Sequence, residues 1–290
     1  MNLSPLVQSV KLSESSEQLL SSLAAPSSSP SIISTKYMPV LWTNVLAGGG
    51  LRIGRQAVVD AARASIARLG VGSVGIYSLH APLPYVGGRR ALYEGLARVY
   101  DLGLCSGVGV CNVGAAQLRE AHRELKRLGV PLVSNQIRYS ILNIERELDG
   151  TIETCLELGV TPIAHTPLAG GLATGNCAHA LARRGGRRGP IGRFHSNQLL
   201  SLSHMFEAMS SVSEDAGRMP SGPRSETEVA LNFARAKGCV PIPGVNTGAQ
   251  AREVVAALDW DLDLAQVEAL SEQAVLLHAR RRELSWLKNV

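Results

Sequence analysis

The stretch 131–175, PLVSNQIRYSILNIERELDGTIETCLELGVTPIAHTPLAGGLATG, constrains the fold more than any other part of the chain. Residues 131–137 read as a buried strand, residues 145–158 carry apolar positions at helical spacing, and residues 160–166 read as a second buried strand running into a Pro/Gly-rich turn. Strand, helix and strand at these lengths make a βαβ unit, the building block of parallel α/β folds. Ser134, Asn135, Gln136, His165 and Thr166 fall at or near the C-terminal ends of its two strands. That rim is where parallel α/β proteins bind ligands. A lone Gln or His there would more simply be a satisfied structural polar group, but several together, followed by small residues, favour a site.

Four more strands are expected at 32–35, 71–79, 106–112 and 239–242, giving about six in all. Helices are expected over 89–102, 114–129, 198–216 and 225–237. Another is anchored by Val58, Val59, Ala62, Ile66 and Leu69, and a tail helix by Trp260, Val267 and Leu270. Residues 1–31 form a Ser-rich segment with one short helix near Leu19, Leu20 and Leu23, and residues 32–290 form the α/β domain.

With 290 residues, 45% of them hydrophobic, the chain can bury a substantial core. The net charge of +5 is modest, and its densest piece, Arg183, Arg184, Arg187 and Arg188, has no aromatic platforms beside it, so no nucleic-acid partner is expected. No apolar run reaches the roughly 18 residues of a spanning helix, so no membrane partner is expected either. Five widely spaced cysteines without a CxxC pair point to neither a disulfide framework nor a metal site, and fit a reducing compartment, the cytoplasm, or a plastid if a targeting segment precedes the chain.

The motifs NQIRYSILN and IAHTPLAGGLATG resemble the sixth and seventh strands of the aldo-keto reductases, and STKYMPVLW resembles their TKF-x-P-x-PW segment. The resemblance implies a TIM-type (β/α)8 barrel, here without its first two strands, that reduces an aldehyde or ketone to an alcohol with NADPH; NAD is the alternative cofactor. It implies that Lys36 and His80 are catalytic, the His orienting the substrate carbonyl. SGVGVCN resembles the family's GVSNF, with Cys111 and Val113 replacing the Ser and the aromatic and Asn112 retained to bind the nicotinamide carboxamide.

The same resemblance assigns the cofactor to Gln136, to His165, Thr166, Pro167, Leu168 and Gly170, and to Arg193 in GPIGRFHS. It adds Asn246, Thr247, Gln250 and Glu253, where a helix start would hold the adenosine 2′-phosphate and Asn246 stands where the family often has a basic residue. The family's proton-donating Tyr and its Asp precede the Ser-Glu-Leu-Leu helix, and nothing like D-x-A-x-x-Y precedes Lys36. A non-catalytic nicotinamide-nucleotide-binding or regulatory protein is therefore the alternative. An unrelated barrel with Lys36 as a Schiff base is disfavoured by the TK-x-x-P context. Neither the substrate nor the oligomeric state is legible.

Overall fold

The computed structural model describes residues 7–9, 17, 32–39, 54–82, 88–174, 202–217 and 224–280. The chain divides into two compact units, Met1–Ile137 with Glu153–Pro162, and Arg138–Ile152 with Ile163–Val290.

In the first unit, strands β1 (Val7–Ser9), β2 (Ile32–Tyr37), β3 (Val74–Leu79), β4 (Cys105–Cys111) and β5 (Leu132–Arg138) pair in parallel in chain order. All six expected strands are present, and β1 is a seventh among the described residues. Three residues are too few to show an alternating pattern, yet Val7, Gln8 and Ser9 pair with Ile32, Ile33 and Ser34. That partner covers the edge of β2 that faces away from β3.

Parallel pairing sorts the side chains of β2 to β4 onto two faces. Tyr37, Tyr77, Leu79, Val108 and Val110 enter one apolar cluster with helices α1 (Gly54–Leu69), α2 (Gly88–Asp101) and α3 (Ala115–Arg127). The helices present stripes at the expected period: Val58, Val59, Ala62, Ile66 and Leu69 of α1, Leu92, Leu96 and Val99 of α2, and Leu118, Ala121 and Leu125 of α3. Helix α3 stops at Gly129, whose φ of 75° is left-handed, and Val130 N–H closes back on the Leu125 carbonyl at 3.0 Å.

The helix expected over 145–158 is two helices, α4 (Glu145–Leu148) and α5 (Thr151–Glu157). Gly150, at φ 73°, breaks the run, and the Asp149 carboxylate accepts the Thr151 N–H at 3.0 Å. The apolar spacing continues across the break, so periodicity alone could not reveal it.

In the second unit, β6 (Thr161–His165) pairs in parallel with β7 (Val240–Ile242), bringing His165 into register with Ile242. Helices α6 (Ser203–Gly217), α7 (Glu226–Ala236), α8 (Gly248–Ala256) and α9 (Leu264–Ala279) follow in chain order around a core that includes Met205, Val229, Phe233, Leu270 and Leu277. Tyr139 stacks on Phe233 with ring centroids 6.4 Å apart and donates to Glu147 at 2.6 Å, and Lys237 pairs with the same carboxylate at 2.7 Å. Glu228 accepts from Trp260 Nε1 at 2.9 Å and from Arg224 at 3.3 Å while closing a capping box with Ser225.

Ahead of β2, buried Glu17 accepts from Arg68 Nε at 2.6 Å and from the Thr35 hydroxyl at 2.7 Å. Removing one partner of a buried charge pair strands the other. Glu17→Ala is expected to cost about 3 kcal/mol in urea unfolding and Glu17→Gln distinctly less, because the amide still accepts from Thr35.

Candidate functional site

The C-terminal ends of β2, β3, β4 and β5 carry the residues that the sequence singled out in the first unit. Lys36 is in register with Ser78, Ser78 with Gly109, and Gly109 with Ser134. These four share the face opposite the helices, and Lys36 is only 6% exposed. Gly109 has no substitute in this layer, because a Cβ would run into the hydroxyls of both Ser78 and Ser134. One step further along, His80 follows β3 with its N–H on the Tyr37 carbonyl at 2.9 Å, and Cys111 lies opposite Gln136. Asn112 N–H donates to the Gln136 carbonyl at 2.8 Å.

The ionisable groups here feel one another. Burial lowers the pKa of Lys36 from its ordinary 10.5, and the Cys111 thiol opposes that shift. Burial also lowers His80 from 6.5, and the nearby Lys36 charge adds to it. The Cys111 thiol is pushed up to about 12 by burial against the pull of Lys36. His80 Nδ1 is buried without a hydrogen-bond partner. Lys36, His80 and Cys111 therefore form one cluster, and sequence reasoning had named only the first two as catalytic. Strict alternation along β2 and β4 was the available signal for the third.

In the second unit, His165 ends β6 and Thr166 follows, its hydroxyl donating to the His165 carbonyl at 2.7 Å. Pro167 is buried, Leu168 half-buried and Gly170 exposed in the turn that follows. The segment after β7 leaves the neighbouring strand end, because Ile242 pairs with His165. Thr247 caps α8: its hydroxyl accepts from Gln250 N–H at 3.2 Å, while Gln250 Oε1 accepts from Asn246 N–H at 2.8 Å and Thr247 N–H at 3.2 Å. Both side chains thus hold the helix start, with Asn246 exposed beside it and Glu253 half-buried.

A cation that sequence reasoning missed stands there too. Arg252 Nη1 lies 3.7 Å from where a Cβ on Gly248 would be. Its position, one helical turn after Gly248, was the legible clue. Arg193 lies outside the described residues.

Backbone strain marks the same places. Among the described residues, the non-glycine positive φ angles belong to Asn112 at 58°, Thr166 at 54° and Ala169 at 50°. All follow the C-terminal ends of β4 and β6, and left-handed backbone of this kind collects at binding sites.

The sequence of residues 13–274 matches the aldo/keto reductase family. The chain belongs to that family. It is 32% identical over 238 residues to the chloroplastic pyridoxal reductase of Arabidopsis thaliana, covering 80% of this chain and 59% of that protein. An uncharacterized oxidoreductase of Mycobacterium tuberculosis is 30% identical over 214 residues, covering 73% of this chain and 62% of that one. The chain thus spans less than two thirds of the length of these two relatives.

Among solved structures, a thermostable aldo-keto reductase in complex with the inhibitor epalrestat matches at a TM-score of 0.67 and 20% identity, over 89% of this chain and 77% of that one. The Bombyx mori aldo-keto reductase in complex with NADP matches at 0.63 and 16%, over 89% and 75%. These likenesses establish the fold as the parallel, TIM-type α/β fold of the family, of which a complete barrel has eight strands. Among the described residues, no helix is long and apolar enough to cross a membrane, and no group of three or more His, Cys, Asp or Glu is placed to hold a metal ion.

The lowered pKa values carry a stability consequence. A native state that binds a proton less readily than the unfolded chain loses stability as pH falls through the ordinary pKa toward the native one. For His80 that loss begins near pH 6.5. His80→Gln is expected to flatten the fall in melting temperature below that pH. Lys36→Met should raise stability at neutral pH by removing a buried ammonium, and a gain of about 1 kcal/mol would appear as a rise of roughly 2–4 °C.

Proposed function

We propose that this protein reduces a small aldehyde or ketone to the alcohol with a nicotinamide dinucleotide, NADPH in preference to NADH. The observation that carries this reading is the placing of Lys36 and His80 at the C-terminal ends of neighbouring strands, both with pKa values lowered by burial. Perturbed ionisable groups at a parallel strand rim are what carbonyl chemistry requires. The printed names of the relatives, a pyridoxal reductase and an aldo-keto reductase in complex with NADP, support the same reading.

The residues fit such a cofactor. In the first unit, Asn112 and Gln136 present amides beside strained backbone, suited to a nicotinamide carboxamide. In the second unit, His165, Thr166, Pro167, Leu168 and Gly170 form a turn after β6. At the start of α8, first-turn N–H groups stand with Arg252 beside Asn246, Thr247, Gln250 and Glu253. Helix dipole and guanidinium together suit an adenosine 2′-phosphate, and Arg252 supplies the cation that Asn246 does not. When bound, the dinucleotide supplies the hydride.

The chain's own part is to hold the carbonyl and handle the proton. A neutral imidazole at His80 can donate a hydrogen bond to the carbonyl oxygen, and its lowered pKa keeps it neutral at physiological pH. Lys36 places positive charge near the oxygen on which negative charge develops. Nothing resembling the family's Tyr and Asp stretch precedes Lys36 in the 290 residues.

A thermal melt with NADPH, then NADH, tests the cofactor. Ligand at about 100 times its Kd adds roughly 2.7 kcal/mol to the native state. NADPH should raise the melting temperature at lower concentration than NADH, and no shift with either dinucleotide would overturn the reading. Arg252→Ala should weaken NADPH by about 3- to 10-fold while leaving NADH nearly unchanged, as expected for a partly exposed cation-to-phosphate contact. His165→Ala should weaken both dinucleotides with the fold intact.

A further inference from the structure

The lysine at the end of β2 is placed for a second kind of carbonyl chemistry. Lys36 is 6% exposed, on the face opposite the helices, in a layer whose other members are the small residues Ser78, Gly109 and Ser134. His80 lies two residues beyond Ser78, the sheet partner of Lys36, with its N–H on the carbonyl of Tyr37 at 2.9 Å and its Nδ1 buried and lacking a hydrogen-bond partner. An amine and an imidazole at neighbouring strand ends are the two groups that imine formation needs: one attacks the carbonyl carbon, the other carries protons to and from the oxygen.

We propose that Lys36 forms a Schiff base with an aldehyde ligand, with His80 as the proton carrier. The Nζ lone pair forms a C–N bond to the aldehyde carbon, and the carbonyl π electrons move to oxygen, which takes a proton to give a carbinolamine. The C–O bond then breaks. Oxygen leaves as water with a proton delivered through His80, nitrogen gives up its remaining extra proton, and a C=N bond remains. Aldehyde and amine give imine and water, with no net oxidation and no further reactant. The step is reversible by the same water.

Burial favours it, because the nucleophile is the neutral amine and a buried lysine holds its proton less tightly. The proposal shares Lys36 and His80 with the reductase reading but needs no dinucleotide and no hydride from one.

The test uses the full 290-residue chain, pyridoxal as the probe aldehyde and sodium borohydride as the trap, with peptide mapping by mass spectrometry. Trapping should fall on Lys36 ahead of Lys11, Lys126, Lys237 and Lys288, by about tenfold for each unit by which its pKa is lowered. In urea the advantage should vanish. His80→Asn should slow trapping at Lys36 while Lys126, on the surface of α3, is labelled as before. Circular dichroism establishes that this variant folds.

Labelling of Lys36 no faster than Lys126, or a preference that persists in urea, overturns the Schiff base. An unchanged Lys36 rate in His80→Asn overturns the proton-carrying role. A protein that shifts with NADPH but is not trapped keeps the reductase reading and loses this one. Trapping without a dinucleotide shift does the reverse.

Discussion

The parallel pairing of β2, β3 and β4, carried on to β5 after a register shift between Val108 and Gly109, decides what the residues on those strands can do. Alternation sends Tyr37, Tyr77, Val108 and Val110 toward three helices, and it sends Lys36, Ser78, Gly109 and Ser134 to the other face. A slip of one residue would exchange the two sets, placing an ammonium among Val58, Leu96 and Leu118. The apolar face is thus what holds Lys36 in its place, since burying that set is worth far more than any polar contact at the rim. Gly109 adds a second lock. Two serine hydroxyls occupy the space a side chain would take, so a larger residue enters the layer only if both turn away.

That arrangement carries a cost, and the cost falls on the candidate site residues. Lys36 and His80 are both held where their charged forms are disfavoured, and His80 Nδ1 is buried without a partner. A fold selected for stability alone would place an apolar residue at either position. Keeping a partly desolvated amine and imidazole together makes sense if both remain available to a ligand, and a carbonyl satisfies either one. The left-handed backbone at Asn112 and Thr166 follows the same logic. Each is a local strain of order 1–3 kcal/mol, tolerated where the chain leaves a strand and turns toward its rim.

How much of this was legible in the sequence depended on how many residues carried each signal. Six strands were readable because runs such as 71–79 and 160–166 are long, apolar and β-branched. The strand Val7–Ser9 was not, because three residues show no period and its pairing with Ile32–Ser34 is a tertiary fact. The break at Asp149 and Gly150 was hidden by apolar residues continuing at helical spacing on both sides, although a glycine within an otherwise helical run is the one local clue. Lys36 and His80 were found through motif context. The inclusion of Cys111 in their cluster, and the approach of Arg252 to Gly248, needed strand register and helical rise.

The start of α8 shows that a motif position can carry a structural role of its own. Thr247 and Gln250 match positions at which the family holds a phosphate, yet their side chains close a capping box on the helix itself. A hydroxyl and an amide so committed order the first turn of the helix. Their contribution to an anion is indirect: a capped helix keeps its N–H groups aligned, and the dipole they sum to is strongest at that end. The group with charge to offer is Arg252, one turn further along, reaching back toward Gly248. Capping by Thr247 and Gln250 fixes the turn from which Arg252 extends, so the proposed preference for a 2′-phosphate would rest on a residue that the motif omits and on two that hold it in position.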